Sequence, residues 1–179
     1  ICHDLISPLG AIGNGVELMS LTNGHTDQEM ALITDSVENA NSRIRFFRIA
    51  YGAAKAEQTV ARTEVLSVLA ATARGGRFSY FWQVDGDQAR RDVRIAFLVL
   101  QCFEVAFPLG GDITVTMSDS NWQISGHGPR LNIDEPLWES LNSTRAQYDH
   151  SAAQVQFALL PTVLSEARRT LSISIGENA

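Results

Sequence analysis

Seven residues near the start of the chain, His3-Asp4-Leu5-Ile6-Ser7-Pro8-Leu9, hold the side chains best suited to nucleophilic chemistry. Apolar residues recur at Cys2, Leu5, Leu9, Ile12, Val16 and Met19, in steps of three and four, which predicts a helix with one buried seam. That seam leaves His3 on the exposed face, with Ser7 one turn away beside it. A solvated imidazole has a pKa near ~6.5, so at pH 7 much of it is neutral and offers a nucleophilic nitrogen. Asp4 can accept the N–H of one ring nitrogen and so leave the other free to attack. Pro8 lacks the N–H that would bond to the Asp4 carbonyl, so a kink is expected beside the histidine. The same polar face continues through Gly10, Asn14 and Glu17, and its small residues would let a partner helix come close.

Other reactive side chains are poorly placed for chemistry. His127 lies between two glycines but has no His, Cys or paired carboxylate at metal-ligand spacing, so a loop residue is expected there. Gly126-His127-Gly128 lacks the lysine and the wider glycine spacing of a phosphate loop. His25 reads as a turn residue and His150 as a surface one. Cys2 and Cys102 both lie in apolar helical stretches, as small core residues of a reducing compartment do. Trp82, Trp122 and Trp138 are read as core or interface aromatics.

The elements that must position His3 fall into two halves. Asn23-Gly24-His25 ends the first helix, and Thr26 to Glu29 fits a capping box that opens a second. Met30, Ile33, Val37, Ala40, Ile44, Phe47, Tyr51 and Ala54 are its apolar seam. A helical hairpin cannot enclose its own stripe, so a homodimer whose two hairpins make a four-helix bundle is expected, with packing against the rest of the chain as the alternative. The hairpin is assigned to residues 1–58 and a second unit to 59–179. After a polar stretch at 55–62, a helix at 63–73 is followed by a strand with Phe78, Tyr80, Trp82 and Val84 on one face. A helix at 87–108 ends at Gly110-Gly111. A hairpin follows, with Ile113, Val115 and Met117 in one strand and 122–125 in the other. A short helix at 135–141, a helical region at 151–168 interrupted or restarted at Pro161, and a strand at 171–175 complete an α/β sandwich. The fold class is α+β.

Composition narrows the partners. The 179 residues carry 45% hydrophobic side chains, an ordinary globular content needing neither disulfide nor metal. A net charge of −6, with the 14 basic residues scattered, argues against nucleic acid. Arg43, Arg45 and Arg48 form the nearest approach to a basic cluster, read either as a solvated helix face or as docking contacts. No apolar run is long enough to span a membrane and no secretory signal is present, so a cytoplasmic location is expected. The chain opens on Ile inside an apolar repeat, so further residues are expected upstream of Ile1.

The heptapeptide from His3 to Leu9 resembles the H-box of sensor histidine kinases, His-Glu-Leu-Arg-Thr-Pro-Leu, with Asp4, Ile6 and Ser7 as the departures. The resemblance implies that His3 is phosphorylated on a ring nitrogen, that Asp4 orients it and serves in acid–base steps, and that Ser7 places water in the reverse direction. The second half then looks like the Bergerat ATP-binding domain of those kinases. Its side chains depart from that pattern. Gln101 and Val105 stand where the two asparagines of the N-box belong, and a valine cannot ligate a hard cation. Ile124-Ser125-Gly126-His127-Gly128 stands where Asp-x-Gly-x-Gly belongs, so Ile124 replaces the adenine-binding carboxylate. No glycine falls between Leu131 and Gln156 to form a triphosphate lid.

An H-box hairpin joined to a degenerate ATP domain resembles the ChpT-type histidine phosphotransferases, along nearly the whole chain. The resemblance implies transfer between the receiver domain of a hybrid histidine kinase and the receivers of response regulators. It implies no bound cofactor, with Mg²⁺ carried only by the partner receiver. An active ATP-dependent kinase core and a noncatalytic receiver-binding scaffold are the competing readings.

Overall fold

A computed structural model of the chain describes residues 8, 10–15, 18–19, 27–55, 57–74, 76–142 and 149–176. His3, Asp4, Ser7, Glu17, Cys2, His25 and the Thr26 capping box therefore lie outside the described residues.

Helical residues 8, 10–15 and 18–19 belong to a first helix, α1. The second, α2, spans Asp27–Ala50, so Tyr51 and Ala54 at the end of the expected seam fall beyond it. Its two ends differ in environment. Met30, Val37 and Ile44 recur every seven residues and stay exposed, whereas Phe46, Phe47, Ile49 and Ala50 enter the main core. Burial of the last turns, rather than propensity, is what anchors a helix of this kind.

The segment from residue 59 onward forms α3 (Arg62–Ala73), β2 (Phe78–Gln83), α4 (Arg90–Ala106), β4 (Gly111–Ser118), β5 (Asn121–His127), α5 (Glu135–Glu139) and α6 (Val155–Ala167). Two-residue strands β1 (Thr59–Val60) and β3 (Gln88–Ala89) pair with each other, inside stretches expected to be irregular and helical respectively. The main sheet runs β2-β4-β5, with β2 parallel and β5 antiparallel to β4. Strand β2 alternates as expected, with Phe78 and Trp82 buried and Tyr80 partly so, and Val84 just beyond it is buried too. Helix α4 is the centre of the assembly, touching α2, α6, β4 and β5. Its Val93, Phe97, Leu98 and Leu100 have almost no exposed surface. A seam so continuous explains why α4 forms despite four β-branched residues.

Four expectations are corrected. Pro161 does not interrupt α6; it lies buried inside the helix, which begins at Val155 after a separate 3-10 turn at Ala152–Gln154. Residues 171–175 alternate like a strand but form none, because α6 ends on a left-handed Arg168 and the chain beyond has no ladder partner. His127 ends strand β5 rather than lying in a loop. His150 is not a free surface residue: its Nε2 lies 3.2 Å from the Ser140 hydroxyl. The tryptophans do serve the core, with Trp82 edge-on to both Phe97 and Trp122, and Trp138 edge-on to Phe157.

Candidate functional site

Gly10 and Asn14 of the expected docking face are exposed on α1. A β-carbon placed on Gly10 or Gly13 would meet nothing within 4 Å, whereas one on Gly15 would come within 2.5 Å of Ile33 Cγ1. Gly15 is thus the residue that brings α1 onto α2. Gly10 is not needed for that contact and leaves its face open to another molecule.

The three α2 arginines divide. Arg48 is exposed, and Arg45 is exposed with its guanidinium 3.3 Å from the Ser67 hydroxyl. Arg43 turns inward instead, and its Nη1 lies 3.8 Å from Glu104 Oε2 on α4. Two arginines therefore remain on the solvent side of α2. The third belongs to the contact between α2 and α4.

That contact is extensive in polar terms as well as apolar ones. Tyr51 donates its phenol hydrogen to Gln101 Oε1. Arg90, at the start of α4, donates to the carbonyls of Arg48 at 2.8 Å and Ala53 at 3.2 Å, and Arg94 donates to that of Ala50 at 3.3 Å. The last carbonyls of a helix have no partner within it, so these two cations satisfy them and complement the negative end of the helix dipole. Sequence reasoning missed the clamp. Its signal was present in Arg90, Arg91 and Arg94 at the start of an otherwise apolar helix.

The positions matched to a nucleotide site are spent on other contacts. Gln101 is buried and holds Tyr51, and Val105 packs against the core. Facing α4, a β-carbon on Gly126 would meet Phe103 at 2.5 Å and Phe107 at 2.9 Å, and one on Gly128 would meet Phe107 at 2.8 Å. The two rings are parallel, with centroids 6.1 Å apart. Aromatic carbon thus lies directly against the backbone of the glycine box.

Two groups are shifted from their ordinary protonation. Burial pushes the Cys102 thiol up, which keeps it neutral and unreactive. Tyr80 is pushed up chiefly by burial and then by the charge and hydrogen bond of Glu104, whose Oε1 accepts its phenol hydrogen at 2.7 Å. Among the described residues, no group of three or more His, Cys, Asp and Glu could hold a metal ion, and no helix is long and apolar enough to cross a membrane.

The family model for the histidine phosphotransferase C-terminal domain matches residues 62–179. The chain is 30% identical, over 97% of its length and 85% of the relative's, to the protein phosphotransferase ChpT of Brucella abortus (strain 2308). A solved structure described as a bacterial phosphotransferase superposes with a TM-score of 0.77 and 28% identity, covering 98% of this chain and 86% of that one.

Proposed function

The chain belongs to the histidine phosphotransferase family, and on that premise we propose that it carries a phosphoryl group on His3 between receiver domains, accepting it from a hybrid histidine kinase and passing it to response regulators. The observation that carries this reading is the packing of Phe103 and Phe107 onto Gly126 and Gly128. Those glycines stand where the sequence resemblance sets an adenine box, and aromatic rings against them support an aspartyl phosphate rather than ATP as the source of the phosphoryl group.

Transfer asks little covalent chemistry of this chain, because phosphoryl transfer depends mainly on alignment and on neutralising the equatorial oxygens. The receiver brings its phosphorylated aspartate and its Mg²⁺. The neutral imidazole of His3 attacks phosphorus in line, the P–O bond to the aspartate breaks, and an N–P bond forms as the carboxylate leaves. Asp4 balances the positive charge on the ring by accepting a hydrogen bond from its other nitrogen. The reverse step returns the group to a second receiver.

The contact of Gly15 with Ile33 supports the pairing of α1 with α2 on which this reading relies. Arg45 and Arg48 are exposed on α2, where their charge would draw an acidic receiver rim. Gly10, Asn14 and Glu17 supply the rest of the docking face. Along α2, exposed Met30, Val37 and Ile44 form an apolar line suited to a second copy of the chain.

The test mixes the purified protein with a radiolabelled phospho-receiver. Label that is acid-labile and base-stable is expected on the wild type and absent from His3→Gln, which folds and assembles normally. Label taken from ATP without a receiver, or unimpaired signalling by His3→Gln, would overturn the proposal.

A further inference from the structure

A second polar site lies at the junction of α2, α3, β2 and α4. There a cavity of about 260 Å³ is lined by Arg43, Thr72, Gly76, Arg77, Tyr80 and Glu104, with the buried Phe78 beside them. It is separate from the face that carries Gly10 and Asn14, and from the glycine box under Phe103 and Phe107.

Its charges do not balance internally. Two guanidiniums and one carboxylate line the space, and the carboxylate is already engaged, since Glu104 Oε1 accepts the Tyr80 hydroxyl. Arg43 Nη1 is 3.8 Å from Glu104 Oε2, beyond hydrogen-bond reach. That nitrogen is sealed from solvent and has no hydrogen-bond partner among the described residues. Burying an ionised donor without an acceptor is costly, so such a group usually marks a place where an acceptor is meant to be. Arg77 has its guanidinium 5.6 Å from the Phe78 ring centroid, and its side chain makes no ion pair among the described residues. Burial keeps Tyr80 in its neutral form, so the phenol adds no competing negative charge. Gly76 lets the chain turn back closely on α3: a β-carbon there would lie 2.9 Å from the Thr72 carbonyl oxygen.

We propose that this cavity binds a small oxyanion, its oxygens accepting from the guanidiniums of Arg77 and Arg43. The planar fork of arginine matches both tetrahedral phosphate and planar carboxylate, and two forks confer selectivity over a monatomic anion such as chloride. Because Arg43 comes from α2, Glu104 from α4 and Arg77 from the bend just before β2, an occupant would also bind α2 to the sandwich. Occupancy therefore stabilises the folded chain by mass action.

The full-length protein is titrated with inorganic phosphate at constant ionic strength, with chloride as the matched control, while Tm is followed. At about ten times its dissociation constant, a ligand of the folded state raises Tm by roughly 3–6 °C in a chain of this size. The expected result is a saturable rise with phosphate, absent with chloride. The phosphate midpoint should weaken at least about tenfold, the loss of one charge-assisted pair, in both Arg77→Ala and Arg43→Met. Arg77 is exposed, so its variant folds even if the Arg43 variant does not. No saturable rise in the wild type, an equal rise with chloride, or an unchanged midpoint in Arg77→Ala would overturn the proposal.

Discussion

A methyl group added to Gly126 of β5 would stand 2.5 Å from Cδ1 of Phe103 on α4. The glycines at this corner are therefore required by an aromatic side chain that fills the space in front of them. Gly126-His127-Gly128 has glycine spacing that resembles a nucleotide box, and both glycines pack against phenylalanine. Gly126→Ala should cost about 1–3 kcal/mol through overpacking, read as a lower urea midpoint with an unchanged slope. Phe107→Ala should cost more, about 3–5 kcal/mol, since that ring is buried.

Nucleotide should have no effect on the wild type. Adding ATP with Mg²⁺ is expected to leave Tm unchanged and to give no autophosphorylation, because a ligand stabilises only the fold it binds. A saturable Tm rise with ATP would count against the packing argument.

Reversing charge on the outer face of α2 should slow transfer without unfolding the protein. For Arg45→Glu combined with Arg48→Glu, the rate of labelling from a phospho-receiver is expected to fall at least about tenfold at low salt, with the deficit shrinking as salt screens the interaction. Circular dichroism should match the wild type, because both side chains are exposed.

The apolar line on α2 predicts an assembly defect. Val37→Glu combined with Ile44→Glu should convert a dimer to a monomer in sedimentation analysis while the sandwich stays folded, since both positions lie outside the core.

Stability should fall on the alkaline side. The Cys102 thiol and the Tyr80 phenol both have folded-state pKa values raised above their ordinary ones, so the native state holds protons that the unfolded chain releases. Their contribution is complete below the unfolded values, about 8.5 for cysteine and about 10 for tyrosine, and is lost progressively as pH rises through them. Urea midpoints should therefore drop above pH ~8.5. Cys102→Ala should remove the earlier part of that drop, and Tyr80→Phe the later part.

Periodicity made α3, β2, α4 and the β4–β5 hairpin legible, because each buries one regular face and its turns carry glycine or an Asp-Ser-Asn run. The failures share a physical cause. Residues 171–175 alternate but lack a neighbouring strand, and pairing is not a property of one segment. Pro161 reads as a breaker, yet burial against α4 and the 3-10 turn at Ser140–Asn142 holds the helix through it.

By itself the sequence determined the chemistry available to this protein. It offers His3 in a heptapeptide that resembles an H-box, and it sets Gln101, Val105 and Ile124 where the resemblance to a kinase expects two asparagines and a carboxylate, all of which are matters of residue type. Only the tertiary structure decided where the remaining groups went. It turned Arg43 inward while leaving Arg45 and Arg48 outside, gave Gln101 to Tyr51, set Arg90 on the carbonyls of α2, and pressed Phe103 onto Gly126. These contacts join residues between about 23 and 61 positions apart, where helical and strand periods carry no information, so their partners are chosen by how the helices pack on the sheet.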